Sequence, residues 1–155
     1  SRQLEKKEPI TNSPEELSQV LLARFGLLPR KKDSAAKMHK LLLELTEKKK
    51  RSVRNKSPEI AITTVEEMAL HAGIARQTMY DYLPRWLSLN ILKKSSFVLQ
   101  GKVIIGYELN GNSLESAFRK AETVIKNHLD FSFKVVETLQ KEIKREKLRI
   151  TTSNE

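Results

Sequence analysis

A chain of 155 residues with 39% apolar side chains can bury one hydrophobic core, and it contains no cysteine, which excludes disulfides, thiol catalysis and cysteine-ligated metal sites. The formal net charge is +10, and most of the excess lies in residues 30–60, which hold eleven basic and four acidic side chains. A localised basic block of this kind favours a polyanionic partner, and the alternative interpretation is a solvated lysine-rich loop.

No apolar run approaches the roughly 20 residues that a membrane-spanning helix needs. The segment SRQLEKKEPI also lacks the apolar centre of a signal peptide. We therefore expect a cytoplasmic protein without a membrane partner.

The chain is predicted to open with a polar tail over residues 1–12, followed by a helix. The letters SPEE at 13–16 place a capping serine, a proline at the first helical position and a glutamate that can close a capping box. Apolar residues then follow at helical spacing and include Leu17, Leu21 and Phe25. Gly26 and Pro29 are predicted to end the helix.

A second helix is predicted after the basic link at 30–32, with Asp33 or Ser34 as its cap. Its apolar stripe consists of Met38, Leu41, Leu42 and Leu45. The stripe fades after Leu45, so residues 48–58 are predicted to form an exposed, mobile loop.

The segment TTVEEMALHAGIARQTMYDYL at 63–83 predicts two short helices joined at a tight turn. Ile60–Ile62 before it is predicted to be a very short strand, and either Thr63 or Thr64 can cap the first helix. The second helix is predicted to start at Ala75. Pro84, which lies further along it, is expected either to kink this helix or to split it in two.

After Lys94 the apolar period changes to two, which predicts a β-hairpin over about 96–109 with its turn at Gln100-Gly101. Asn112 or Ser113 is predicted to cap a last helix that runs to about Leu148. The predicted domain boundaries are therefore 13–110 for a compact domain, 111–149 for a C-terminal helix and 150–155 for a tail.

From about Ala35 to Leu109 the chain resembles winged helix-turn-helix DNA-binding proteins of the MarR-like and PadR-like kind. The TTVEEMALHAGIARQTMYDYL segment is similar to their helix-turn-helix, and WLSLNILKK resembles the segment that leads from their recognition helix into the wing. The resemblance covers about half of the chain. It implies an α+β, mostly α fold with a two-stranded wing, to which this chain adds an N-terminal helix and a long C-terminal helix.

A helix held on one side by Ile74, Met79 and Leu83 leaves its other side free to enter a major groove. Arginine and glutamine can pair with guanine and adenine edges, and tyrosine and threonine can contact phosphates. We expect double-stranded DNA to be contacted by three groups of residues: the helix-turn-helix residues Thr64, Arg76, Gln77, Thr78, Tyr80 and Arg85; the loop residues Lys48, Lys49, Lys50, Arg51 and Arg54; and the wing residues Lys93, Lys94 and Lys102. The alternative is that these are ordinary solvent-facing side chains.

The predicted C-terminal helix is too long to be covered by a domain of this size, so we expect it to form a homodimer. Its apolar residues lie on two sides, and the N-terminal helix is expected to join the same interface. The dimerisation residues are predicted to be Leu17, Leu21, Phe25, Phe118, Ile125, Leu129, Val136 and Leu139. An intramolecular bundle is the alternative.

The sequence indicates no catalytic, metal-binding or cofactor-binding arrangement. Its three histidines fall in different predicted elements, and it has no phosphate-binding glycine loop. We therefore predict a sequence-specific DNA-binding homodimer that is not an enzyme, most simply a transcriptional regulator. The alternatives are a winged-helix protein–protein module in a larger assembly, favoured by the acidic Asp81, and a plasmid or chromosome maintenance factor. The sequence does not identify an operator or an effector.

Overall fold

A computed structural model of the chain describes residues 13–153, and over that range it is a mostly helical α+β fold with the layout of a winged helix. Five α-helices are joined by short connections, and two strands form one antiparallel sheet in the order β1-β2. The elements are α1 (Pro14–Arg24), α2 (Met38–Asn55), α3 (Val65–Ala72), α4 (Arg76–Ser88), β1 (Leu92–Leu99), β2 (Lys102–Leu109) and α5 (Leu114–Ser153), with 3₁₀ turns at Lys31–Asp33 and Pro58–Ala61. The predicted tail at 1–12 lies outside the described residues.

The start of α1 confirms the predicted cap. The hydroxyl of Ser13 accepts a hydrogen bond of 3.2 Å from the amide of Glu16, and proline occupies the first helical position. Leu22 and Ala23 are buried, and the ring of Phe25 meets the ring of Phe118 edge-on with centroids 4.9 Å apart. The aromatic contact joins the end of α1 to the first turns of α5.

The predictions for α2 were wrong at both of its ends. The segment with Asp33 and Ser34 forms a 3₁₀ turn, and α2 begins later, with Lys37 as a cap that makes no side-chain hydrogen bond. At the other end, residues 48–55 are helical, so there is no mobile loop there.

The helix continues because its buried face continues. Lys49 and Ser52, which follow Leu45 at helical spacing, are both buried. Lys49 can occupy this face because its ammonium pairs with the carboxylate of Glu108. The helix ends at Lys56, whose backbone is left-handed with φ of 53°.

The helix-turn-helix has the predicted form. Thr64 and Glu67 close a capping box at the start of α3, and Gly73 takes the left-handed conformation between the helices with φ of 69°. Pro84 lies inside α4, which is continuous from Arg76 to Ser88, so the alternative of two separate helices is excluded.

The predicted strand at 60–62 is wrong: Pro58–Ala61 is a 3₁₀ turn, and it is Thr63 that makes an isolated antiparallel bridge to Tyr107.

The hairpin is confirmed, although β1 starts at Leu92, four residues earlier than predicted. Leu92 pairs with Leu109 at the buried base, and the turn at Gln100-Gly101 uses two left-handed residues with φ of 50° and 77°. The base of the sheet therefore belongs to the core, and the tip extends away from it.

Within residues 13–153, only the beginning of α5 packs on the other elements. Ala117 and Ala121 are fully buried, and Phe118 is half-buried against the core. Beyond Val124 every described residue as far as Ser153 is exposed, except the half-buried Ser132. The helix extends past the predicted boundary at 149, so the described part of the predicted tail is helical, and residues 154–155 lie outside the described range.

Candidate nucleic-acid interface

The outer face of α4 is separated from its buried face as the sequence predicts. Met79 and Leu83 are buried, and Trp86 continues the same face one turn later. Arg76, Gln77, Tyr80, Asp81 and Arg85 are exposed, and Thr78 is half-buried. A rigid helix therefore presents an arginine, an amide and a phenol to solvent within its first two turns.

Arg76 is oriented by neighbours on both helices of the motif. Its Nε lies 3.0 Å from a carboxylate oxygen of Glu66, and its Nη2 donates to the hydroxyl of Tyr80 at 3.4 Å. The guanidinium also sits 5.6 Å from the centre of the Tyr80 ring. The hydrogen bond to Tyr80 and the charge of Glu66 raise the pKa of Arg76. Because Arg76 and Glu66 are both largely exposed, their ion pair is weak and leaves the arginine available to a stronger acceptor.

The acidic charge of Asp81 is partly offset by a residue from another part of the chain. Nη2 of Arg30 lies 3.2 Å from the Asp81 carboxylate and 3.4 Å from the Asp33 carboxylate, so the two acids share one guanidinium. The amide of Arg30 donates to the hydroxyl of Tyr82 at 2.9 Å, and that hydroxyl donates to the carboxylate of Asp33. The hydrogen bond from Tyr82 lowers the pKa of Asp33, and the charge of Arg30 adds to this effect.

This arrangement brings the basic link at 30–32 beside the middle of α4. Lys31 and Lys32 are exposed there. The sequence interpretation treated these three residues only as a connection, because nothing local relates them to α4. The cluster of consecutive basic residues directly after Pro29 was the only available signal.

Arg85 does not join Arg76. Nine residues separate them, which is about two and a half helical turns, so the two side chains leave opposite flanks of α4. Arg85 instead lines a groove at the base of α5, together with Phe25, Leu89 and His128.

The predicted basic loop is part of α2, and its side chains are in different environments. Lys49 is buried, and the ammonium of Lys48 lies 3.6 Å from Glu67 and 3.5 Å from the carbonyl of Ile62. Arg51 is half-buried, with its Nη2 3.7 Å from Glu44. Lys50 and Arg54 are exposed. The structure therefore leaves Lys50 and Arg54 as the accessible members of the predicted set.

The Lys49–Glu108 pair links α2 to the wing. Burial on its own would raise the pKa of Glu108, but the hydrogen bonds from Lys49 and Ser95 and the charges of Lys49 and Lys93 hold it below the ordinary value. Both side chains are about nine-tenths buried. The pair therefore fixes the base of β2 relative to α2.

The wing is basic at its base and tip and apolar between them. Lys93, Lys94 and Lys102 are exposed as predicted, and residues 93–107 contain no acidic side chain. The distal half also exposes four large apolar residues, a feature that the sequence interpretation did not use: Val98, Leu99, Val103 and Ile105.

Two further features lie near the helix-turn-helix. The hydroxyl of Thr64 accepts from the amide of Glu67 and contacts its carboxylate, so it is already engaged in the cap. A groove beside the Gly73 turn is lined by Lys37, Lys40 and Lys50, of which the first two were missed by the sequence interpretation.

The predicted dimerisation residues fall into two groups. Leu21, Phe25 and Phe118 are half-buried within their own domain, whereas the others are exposed. The exposed group consists of Leu17, Ile125, Leu129, Val136 and Leu139.

Within residues 13–153, no three acidic or histidine side chains come together in a way that would hold a metal ion. In the same range, no helix combines the length and the apolar character needed to cross a membrane. Comparisons of the chain with protein-family models, curated protein sequences and solved structures found no match.

Proposed function

We propose that this chain is a cytoplasmic winged-helix protein that binds double-stranded DNA sequence-specifically as a homodimer and acts as a transcriptional regulator. The observation that carries the proposal is the outer face of α4. Arg76 and Gln77 project from a helix whose opposite face is fixed by the buried Met79 and Leu83. Fixed side chains of these types can distinguish guanine and adenine edges in a major groove.

The electrostatics of the surrounding surface support a DNA partner. An aspartate on a recognition helix would repel phosphates, but Arg30 lies beside Asp81 and offsets part of its charge. Lys31 and Lys32 extend the positive surface on that side, and Lys50 and Arg54 extend it along α2. In this proposal the surrounding cations bind the phosphates, and the residues on α4 choose the sequence.

The homodimer is supported by the exposed apolar residues of α5, which no part of the described chain covers. A two-fold dimer presents two recognition helices to two half-sites, which increases both affinity and specificity. The half-buried Phe118 is left out of the dimer interface here, because it packs on Phe25 and on the core of its own domain.

The direct test is a fluorescence-anisotropy titration of the full chain with a random-sequence duplex at low and at moderate salt. We expect binding at low salt that weakens steeply as salt rises, because phosphate contacts release counterions. Selection from a random duplex library should then enrich a two-fold symmetric sequence. Absence of duplex binding at low salt, with the protein folded by circular dichroism, would overturn the proposal.

A winged-helix protein–protein module is the second candidate function. The observation that favours it is the apolar part of the distal wing, where Val98 is 69% exposed and Val103 is 64% exposed. Large apolar side chains on an exposed ribbon favour contact with another protein. The same titration separates the two functions, because a protein-docking module of this kind has no need to bind a random duplex.

A further inference from the structure

We propose that two copies of the chain pair through the distal part of α5 as antiparallel helices, with the two winged-helix domains at opposite ends. This inference rests on the homodimer of the proposed function and adds its geometry. In the register that we infer, Val136 faces Leu139 of the second copy. The pairs further out are then Ser132 with Ile143, Leu129 with Glu146 and Ile125 with Ile150.

The first argument is the spacing of one stripe on α5. Going along the helix, its members alternate in steps of four and three residues, as the inner positions of a two-stranded coiled coil do. The stripe consists of Ile125, Leu129, Ser132, Val136, Leu139, Ile143, Glu146 and Ile150. Its apolar members are between 39% and 58% exposed, so no described residue outside α5 covers the stripe over roughly 38 Å of helix.

The second argument is that this stripe continues a face that is already packed. Phe118 and Ala121 precede Ile125 with the same three- and four-residue steps, and both belong to the core of the chain's own domain. The domain thus covers the first part of the stripe and stops near Ile125. The remainder has the same apolar character and needs a partner of similar length.

The position of the domain decides the orientation. Because each domain lies on the stripe side of its own helix, parallel pairing would bring both domains to the same end and between the two helices. There they would hold the stripes apart. Antiparallel pairing puts the domains at opposite ends, so each uncovered stripe meets the uncovered stripe of the other copy along its full length.

The groove at the base of α5 provides a seat for the end of the partner helix. It is lined by apolar residues that include Phe25, Leu89 and Val124, and by basic residues that include Arg85. In the inferred register, Ile150 of the second copy reaches Ile125 at this groove, and Glu146 of the second copy approaches Arg85 and His128. Lys126 faces Lys147 of the second copy at the solvent edge, where screening keeps the repulsion small.

The register can be tested by cross-linking, because the chain has no cysteine of its own. We would prepare Ile125→Cys and Ile150→Cys as full-length single variants and treat each alone, and then the refolded mixture, with a short bifunctional maleimide. Antiparallel pairing predicts cross-linked dimers in the mixture and none in either variant alone. Lys141→Cys, on the opposite side of α5, is the control and should not cross-link with any of them.

The outcomes separate this inference from the function on which it rests. Self-cross-linking of Ile125→Cys or of Ile150→Cys indicates parallel helices and overturns the orientation. A dimer by sedimentation that gives no cross-link in the mixture overturns the register. A monomer by sedimentation overturns both the homodimer and this inference, and the anisotropy titration reports DNA binding independently of either.

Discussion

The carboxylate of Asp81, on the outer face of α4, lies 3.2 Å from a guanidinium nitrogen of Arg30, which is 51 positions earlier in the chain. This contact partly offsets the negative charge on the proposed recognition helix, because the same guanidinium also pairs with Asp33. It also sets the basic link before α2 beside the surface that would face DNA.

The Arg30→Gln variant should bind every duplex several-fold more weakly, because Asp81 then presents an uncompensated negative charge to the phosphates. The double variant Arg30→Gln/Asp81→Asn should recover most of that loss. Anisotropy titrations of the parent, both single variants and the double variant measure the coupling between the two residues. Equal losses in the single Arg30 variant and in the double variant would mean that Asp81 does not lie near the DNA.

Gln77 is expected to determine which DNA sequence is preferred and to contribute little to the affinity for duplexes of random sequence. Gln77→Ala should cost about 1–3 kcal/mol on a selected site and far less on a random duplex. Asn127→Ala removes a similar exposed amide from the outer side of α5 and serves as the control. An equal loss on selected and random duplexes would contradict the assignment of base contacts to Gln77.

Lys31 and Lys32 are expected to contact phosphates, because they are exposed beside α4. Replacing both by glutamine should weaken binding to all duplexes alike, and the log–log salt slope should fall by up to about two units. Lys134→Gln/Lys141→Gln removes the same charge from the outer side of distal α5 and should leave the slope unchanged. Similar slopes in the two variants would show that the phosphates do not reach the link.

The features that sequence alone predicted correctly are those fixed by neighbouring residues. The Ser13 cap, the Thr64–Glu67 capping box and the Gly73 turn are each decided within a few positions. The division of α4 into buried and exposed faces follows from its helical period. The sequence therefore placed Met79 on the buried face and Gln77 on the exposed face, as the structure has them.

The features that sequence alone missed depend on distant partners. The helical segment 48–55 buries Lys49 against Glu108, and these two residues are 59 positions apart. The part that Arg30 plays at the proposed interface likewise requires Asp81. The place of Arg85 could not be predicted for a different reason: Pro84 left open whether the helix continued, and because α4 does continue, its period places Arg85 at the groove beside α5.

The Lys49–Glu108 pair should make stability depend on pH in the acid range. Since the folded-state pKa of Glu108 lies below its ordinary value of 4.5, the pair stabilises the fold above that pH, and the stabilisation is lost as the pH falls through the folded-state pKa. Glu108→Gln should cost about 3–5 kcal/mol at neutral pH, because it leaves a buried ammonium without its partner, and should lose less further stability on acidification. Urea unfolding at a series of pH values measures both effects.

Two comparisons make that experiment specific. Glu122→Gln removes a carboxylate that pairs with Arg119 on the exposed side of α5 and should change stability little. The double variant Lys49→Met/Glu108→Met should recover much of the loss seen in Glu108→Gln, since apolar side chains of similar volume avoid the unpaired buried charge. A double variant no more stable than Glu108→Gln would show that packing, and not the charge, dominates at this site.

The distal part of α5 should be dispensable for folding and required for dimerisation. A chain that ends after His128 keeps the buried Ala117 and Ala121 and the Phe25–Phe118 contact, so its domain should retain its circular dichroism spectrum and unfold cooperatively. It loses seven of the eight stripe residues and should sediment as a monomer. Its affinity for a single half-site should match that of the full chain, and its affinity for the two-half-site sequence should fall, because the second recognition helix is no longer tethered.

A cut after Asn112 would instead remove core residues and is expected to unfold the domain, so it serves as the control for misfolding. If the chain ending at His128 is folded and still a dimer, the interface lies elsewhere, and the role assigned to distal α5 is wrong.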